Sequence, residues 1–539
     1  MECIKGKGVA RGIVMGKLLF SQRDRTNISK QKVEIPKEEY ERYHRAKEKA
    51  KSQLEVLYEK ALKEVGESAA QIFVIHQTLL EDVEYESHVK QMILEQGYNA
   101  EYAVNATSEL FQDMFRNLED EYIKERFSDV EDISKRLLDI LFETKTELSG
   151  EREPVIICGD DFAPSETIQM DKNKILAICT RQGSASSHTA ILAKTMNLPA
   201  VVACGEALEK FYDGKVAIVD GYDGIIYIDP DEETVKQLRM KRDDALKRKI
   251  HLQDLKGKES VTKNGQKVWV CANVGGLNDI SRVKENDGEG IGLFRSEVLY
   301  LESSDYPKEE EQFLCYKKIL QEMGEKKVII RTMDIGADKK IDYFHLEKEE
   351  NPALGLRAIR LCLERPEIFK TQLRALYRAS VYGKLGIMFP MITSVEEVQE
   401  IKEQIDRVQQ ELSEEHIQFD KGVELGIMIE TPAAAMISDL LAEEVDFFSI
   451  GSNDLTQYAL AVDRQNQKLE RYCNPHHLGV LRMIEMVVIN AHSRGKWAGI
   501  CGELAGDLTL TEYFVRLQID ELSVVPSMIL PLREKIRSL

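Results

Sequence analysis

Gly290-Ile291-Gly292-Leu293-Phe294-Arg295-Ser296-Glu297 is an apolar run that stops on three polar residues. It reads as a short buried strand whose end carries chemistry. Seven more short strand-like runs accompany it: Val268–Ala272, Lys327–Ile330, Leu385–Phe389, Leu425–Ile429, Phe447–Ile450, Trp497–Ile500 and Glu521–Val524. Helical stretches separate them. Eight β/α units in about 280 residues fit a TIM barrel, whose usual size is about 250.

Active sites of such barrels lie at the C-terminal ends of the strands. The polar residues of this chain gather there. Arg331 to Lys339 follow the third run, Glu430-Thr431-Pro432 the fifth, Gly451-Ser452-Asn453-Asp454 the sixth and Cys501-Gly502-Glu503 the seventh; Arg464 lies ten residues beyond Asp454. Solvated loops are polar too, but so regular a placement favours a site. Arg295, Arg331 and Arg464 suit phosphate and carboxylate oxygens through paired N–H donors. Glu430 and Asp454 are hard oxygen ligands of the kind Mg²⁺ takes. Cys501 reads either as a proton donor or acceptor or as a small buried hydrophobe. Together these residues fit a phosphorylated small acid whose enolate leaving group needs a proton.

Upstream lies Gly183-Ser184-Ala185-Ser186-Ser187-His188-Thr189-Ala190, preceded by the strand-like Ile175–Cys179 and followed by a helix-forming stretch. That order places His188 at a helix N-terminus, where backbone N–H groups favour an anion and disfavour a protonated imidazole. A neutral ring nitrogen is a nucleophile, so His188 reads as a phosphohistidine site. The alternative is an ordinary helix cap.

The rest of the N-terminal half divides by pattern. Residues 1–20 are glycine-punctuated strands. Ala46, Ala50, Leu54, Leu57 and Ala61, and likewise Val130, Ile133, Leu137 and Ile140, recur at helical spacing and predict a helical bundle. Strand patterns return at 155–158, 175–179 and 200–203, with a hairpin around Tyr222-Asp223. The predicted organisation is a multidomain α/β chain. An α/β phosphohistidine domain (residues 1–20 plus 147–229) carries an inserted helical bundle (21–146). A linker helix (230–258) leads to a (β/α)8 TIM barrel (259–539).

The length of 539 residues gives three or four domains at roughly 150 residues each. The net charge of −20 argues against nucleic acid or an acidic membrane as partner. Nine cysteines without a C-x-x-C pair are neither a disulfide framework nor a zinc site, which points to the cytoplasm. No apolar run near the start suits a signal peptide, and none reaches the roughly 20 residues of a membrane span.

These motifs resemble Enzyme I of the bacterial phosphoenolpyruvate:sugar phosphotransferase system along nearly the whole chain. The resemblance rests on Leu79-Leu80-Glu81-Asp82, Asp129-Val130-Glu131-Asp132-Ile133, Pro164-Ser165-Glu166-Thr167, the His188 loop, Gly290–Glu297, Arg331–Lys339, Asn351–Arg360, Glu430–Ala434, Gly451–Tyr458 and Cys501–Asp507. It implies that His188 takes the phosphoryl group of phosphoenolpyruvate and passes it to a histidine of the carrier HPr, or of an HPr-like protein. Thr167 would hydrogen-bond the His188 ring or its phosphate. Arg295, Arg331, Arg357 and Arg464 would bind phosphoenolpyruvate, with Asn453 alongside. Glu430 and Asp454 would carry Mg²⁺, or Mn²⁺, and Cys501 would protonate the enolate to pyruvate. The helical bundle would dock HPr and the barrel would form a homodimer. The chain departs from the family pattern at Ser184, Ser186, Ala337, His476-His477 and 508–512. Ser184 and Ala337 stand where the pattern has glycine, whose loss alters loop conformation. Two other readings stay open. A pyruvate-phosphorylating dikinase or synthase needs an ATP-binding Gly-rich loop not seen in this sequence. A degenerate relative would bind partners without transfer.

Overall fold

Eight parallel strands of the computed structural model close into a barrel: β9 (Trp269–Val274), β10 (Ile291–Arg295), β11 (Val328–Arg331), β12 (Leu385–Phe389), β13 (Glu424–Ile429), β14 (Phe447–Ile450), β15 (Trp497–Ile500) and β16 (Glu521–Val524). The structure describes residues 1–20, 28–64, 67–116, 121–142, 153–162, 174–184, 187–196, 198–277, 279–337, 339, 341–464 and 466–539. The alternation of the strands sorts their side chains. Leu293, Ile329, Met388, Met428, Phe447 and Cys501 form one buried cluster. Ile330, Ile387, Ile427, Phe448, Ile450 and Ile500 belong to the larger core shared with the surrounding helices. Strands buried on both faces must be apolar at nearly every position, so the barrel shows in the sequence as short apolar runs. It occupies the compact unit 247–539.

The other compact unit, 1–246, is built on a mixed sheet in the order β1-β8-β7-β3-β4-β5-β6-β2. These strands are β1 (Glu2–Lys5), β2 (Lys7–Ala10), β3 (Ile13–Phe20), β4 (Val155–Gly159), β5 (Ile175–Thr180), β6 (Ala200–Val202), β7 (Val216–Asp220) and β8 (Ile225–Ile228). β3, β4, β5 and β6 run parallel, and β7 and β8 form an antiparallel hairpin. Gly224 stands at φ +67° in that hairpin, and a Cβ there would meet the Gly6 carbonyl oxygen at 2.7 Å. The turn therefore needs glycine twice over.

Between β3 and β4 stand the helices α1 (Pro36–Glu64), α2 (Glu67–Leu80), α3 (Val83–Lys90), α4 (Ala100–Arg116) and α5 (Glu121–Leu141). Ala46, Ala50, Leu54, Leu57 and Ala61 line one face of α1 and pack in a single core with Val130, Ile133 and Leu137 of α5. Two motifs quoted above have structural work here. Asp82 caps α3 by accepting from the Glu84 and Tyr85 N–H groups at 2.9 Å. Asp129 lies 3.3 Å from Nε2 of the buried His76. The bundle leads back into β4, and the helix α7 (Glu232–Gln253) contains the boundary between the two units. Among the described residues no helix is long and apolar enough to cross a membrane, and all nine cysteines are free thiols.

Candidate active site

His188 is the first residue of the helix α6 (His188–Met196), which follows β5 and the 181–187 turn. The cap hydrogen bond belongs to its neighbour: Ser187 Oγ accepts from the Ala190 N–H at 3.3 Å and donates to the Ser184 carbonyl at 3.0 Å. Thr189 Oγ1 donates to Asp161 at 2.7 Å and accepts from the Phe162 N–H at 3.3 Å, tying the helix start to the segment after β4. The chain thus places residue 188 at the first helical position, among N–H groups without intrahelical partners. Thr167 and Ser186 lie outside the described residues.

In the barrel, Arg295 and Arg331 are register partners on β10 and β11. Arg295 is exposed. Arg331 is buried; its Nη2 donates to Glu297 at 2.6 Å and its Nη1 lies 3.0 Å from Asp334 Oδ2. The other oxygen of Asp334 accepts from Arg357 Nη2 at 2.8 Å. One buried carboxylate therefore bridges two guanidiniums. Burial by itself would raise the Asp334 carboxyl, but Arg331 and Arg357 outweigh it and hold the group well below its ordinary range. Lys339 donates to the Asp334 carbonyl at 2.8 Å and braces the same turn. Arg357 Nη1 donates to the Tyr458 hydroxyl at 3.4 Å, and that hydroxyl donates to the Ala353 carbonyl. Tyr458→Phe removes both bonds. The expected cost is about 1 kcal/mol, read from urea unfolding, with faster amide exchange in residues 351–357.

Glu430 follows β13 and is buried; its Oε1 accepts from the Met391 N–H at 2.7 Å. Thr431 fixes the turn by capping the helix Pro432–Met436, with Pro432 in the first helical position. Burial, and then the charges of Asp454 and Asp334, push the Glu430 carboxyl up to about 8. Asp454 lies in α8 (Ser452–Leu460); its Oδ2 is 3.6 Å from Arg464 Nη2. Gly451 lets the two segments meet, since a Cβ there would stand 2.9 Å from Glu430 Oε2. Asn453 exchanges two hydrogen bonds with Glu503, at 2.9 and 3.3 Å. Met391 and Ala358, next to Glu430 and Arg357 respectively, adopt φ of +61° and +54°, conformations that cluster at functional sites.

Cys501 follows β15 and is buried. Burial pushes its thiol up to about 12, so it stays protonated at neutral pH. Among the described residues, the buried side-chain atoms without a hydrogen-bond partner include Arg331 Nε, Arg357 Nε, Glu297 Oε2 and Asp454 Oδ1. Unsatisfied buried polar atoms are few in native proteins, and here several share one strand-end cluster. The arrangement offers donors for an anion, two carboxylates for a cation and a neutral acid.

Arg295, Arg331, Arg357, Arg464, Glu430, Asp454, Asn453 and Cys501 all stand at or beyond the C-terminal ends of the barrel strands. The residues to which the sequence reading gave no role are Glu297, Asp334, Lys339 and Tyr458. The first three lie in polar strand-end segments and Tyr458 in a quoted motif. Their partners are remote in sequence, so the pairing carried no signal.

Three family profiles match the chain: "PEP-utilising enzyme, N-terminal" over residues 5–126, "PEP-utilising enzyme, mobile domain" over 151–224 and "PEP-utilising enzyme, PEP-binding domain" over 249–539. The chain is 41% identical to a phosphoenolpyruvate-protein phosphotransferase of Priestia megaterium over 537 residues, 99% of this chain and 94% of that one. It is 41% identical to a protein of the same name from Bacillus subtilis, covering 100% and 95% of the two chains. It is 40% identical to the Staphylococcus carnosus protein of that name, covering 99% and 94% of the two chains.

Proposed function

The chain belongs to the phosphoenolpyruvate-protein phosphotransferase family, and on that premise we propose a role for each group of the site. The enzyme transfers the phosphoryl group of phosphoenolpyruvate to a protein. The bond from phosphorus to the enol oxygen breaks and a bond from phosphorus to a His188 ring nitrogen forms. The enolate left behind takes a proton at carbon from the Cys501 thiol, giving pyruvate. His188 then passes the phosphoryl group to a histidine of HPr or an HPr-like carrier, docked on the helical bundle. Thr167 contacts the His188 ring or its phosphate. The protein is a cytoplasmic homodimer through the barrel.

Arg295, Arg331, Arg357 and Arg464, with Asn453, hold the phosphate and carboxylate oxygens. The observation that carries this reading is the Asp334 bridge. It fixes two guanidiniums side by side, and such rigid forks bind phosphate and carboxylate through paired bonds. The buried thiol suits an acid that must stay protonated until carbanionic charge reaches it. The first test is to incubate the chain with labelled phosphoenolpyruvate and Mg²⁺. Label on the protein that is acid-labile and base-stable, with matching pyruvate, is the expected result. Acid-stable label, or none, would sink the reading.

Glu430 and Asp454 fit a divalent cation. Asp454 Oδ1 is buried without a partner, and the repulsion between the two carboxyls is what a cation relieves. When bound, Mg²⁺ or Mn²⁺ supplies charge neutralisation for the substrate oxygens. Because burial and then the Asp454 charge push the Glu430 carboxyl up to about 8, and it must ionise to ligate, Glu430 would release a proton when a cation binds. Affinity should weaken by up to about tenfold per pH unit below that value and level off above it. Calorimetry in two buffers of different ionisation heat reads the proton release. Affinity unchanged between about pH 6.5 and 8 would contradict the raised Glu430 carboxyl.

A further inference from the structure

We propose that Asn273, on the first barrel strand, is a positioning residue for the Cys501 thiol. The proposal rests on the reading of Cys501 as the acid.

The ladder between β15 and β16 has two register pairs, Gly499 with Glu521 and Ile500 with Leu522, and stops there. Cys501 lies one residue beyond it. Its N–H donates to the Ile450 carbonyl of β14 at 3.1 Å, and its thiol lies 3.7 Å from the same oxygen. Its own carbonyl accepts instead from Asn273 Nδ2 at 2.9 Å. The same Nδ2 donates to the Ser523 carbonyl at 3.1 Å, and Asn273 Oδ1 accepts from Ser523 Oγ at 2.7 Å.

The carboxamide thus reaches from β9 across the end of β16 to the residue after β15. It meets two carbonyls and one hydroxyl. Only one orientation of the amide suits that set, with N–H groups on the carbonyls and the oxygen on the hydroxyl. The next residue leaves no slack. A Cβ at Gly502 would meet Ser452 Oγ at 2.0 Å, so the backbone runs directly against α8. Held at its N–H by β14 and at its carbonyl by Asn273, the Cys501 backbone directs the thiol. Aspartate at position 273 would keep the shape but lose the donor to both carbonyls.

A double-mutant cycle in the full chain, with phosphoenolpyruvate and Mg²⁺, tests this by pyruvate release. Asn273→Ala is expected to slow turnover on the order of tenfold, as a small displacement of a reacting group does. KM for phosphoenolpyruvate should stay within about twofold, since the arginines are untouched. The deciding comparison is made in the Cys501→Ala background. If the amide acts through the thiol, Asn273→Ala adds no further loss there. A second loss of the same size would overturn the proposal, because the amide would then serve the barrel at large. Ser523→Ala removes only the hydroxyl that orients the amide. It should follow the same non-additive pattern more weakly, and it decides the matter if Asn273→Ala does not fold. Full activity in Cys501→Ala alone would strike the assignment of the acid, and the proposal with it. Additivity with an impaired Cys501→Ala strikes the amide alone.

Discussion

His188→Ala is expected to take up no phosphoryl group from phosphoenolpyruvate and to pass none to HPr, while its fold and barrel remain those of the parent chain. The fold should survive because the cap of α6 is Ser187, whose Oγ accepts from the Ala190 N–H, and alanine is a good residue at a helix start. What disappears is the proposed nucleophile. Neighbouring serine hydroxyls are poor substitutes, since a hydroxyl at its ordinary pKa is a weak nucleophile. The measurement is label on the protein after acid and base treatment, beside calorimetric binding of phosphoenolpyruvate. Binding should be retained within about twofold, because loss of a group that acts only in the transition state leaves ground-state affinity alone. A variant that labels as well as the parent would move the phosphohistidine elsewhere.

Arg331→Ala has the second large effect, on catalysis and stability together. Its guanidinium neutralises Glu297 and half of Asp334, all three buried. Removing one partner of a buried network leaves charges unpaired, at a cost of about 3–5 kcal/mol in unfolding free energy. Loss of a preorganised donor to a reacting phosphate costs roughly 10²–10³-fold in kcat/KM. Glutamine in place of Glu297 in the same chain should return part of the stability and none of the activity, because it removes a stranded charge without supplying a donor. Denaturant unfolding beside a pyruvate assay separates the two. Equal recovery of both would mean that Arg331 matters only for the fold.

The barrel was legible because its strands are largely buried and write themselves as short, mostly apolar runs, several of which end on polar residues. The limits of that reading are equally physical. β9 extends to Val274, two residues beyond the apolar run that announces it, and the polar Asn273 falls in that extension. A lone polar residue inside a strand has no period to reveal it. The arginines and carboxylates were legible as residue types at strand ends, but which carboxylate meets which guanidinium was not. Asp334 joins Arg331 to Arg357, 23 residues further along the chain, and Glu430 takes its hydrogen bond from a backbone N–H after β12. The small-residue turn before α6 pointed to His188, yet the cap fell to Ser187, since a serine oxygen reaches the third helical N–H more readily than a ring does.

The helical bundle has a consequence for how this sheet can be built at all. β3 and β4 are hydrogen-bonded neighbours running in the same direction, Leu18 opposite Ile156 and Phe20 opposite Cys158. A chain leaving the top of β3 must travel back to the bottom before β4 can begin, which no tight hairpin allows. The five helices are that return path. Shortening them to a two-residue turn would force β4 to run the other way, reversing its side chains against β5. A minimal sheet would need a replacement strap of at least about a dozen residues, and the bundle can be exchanged only for another crossover.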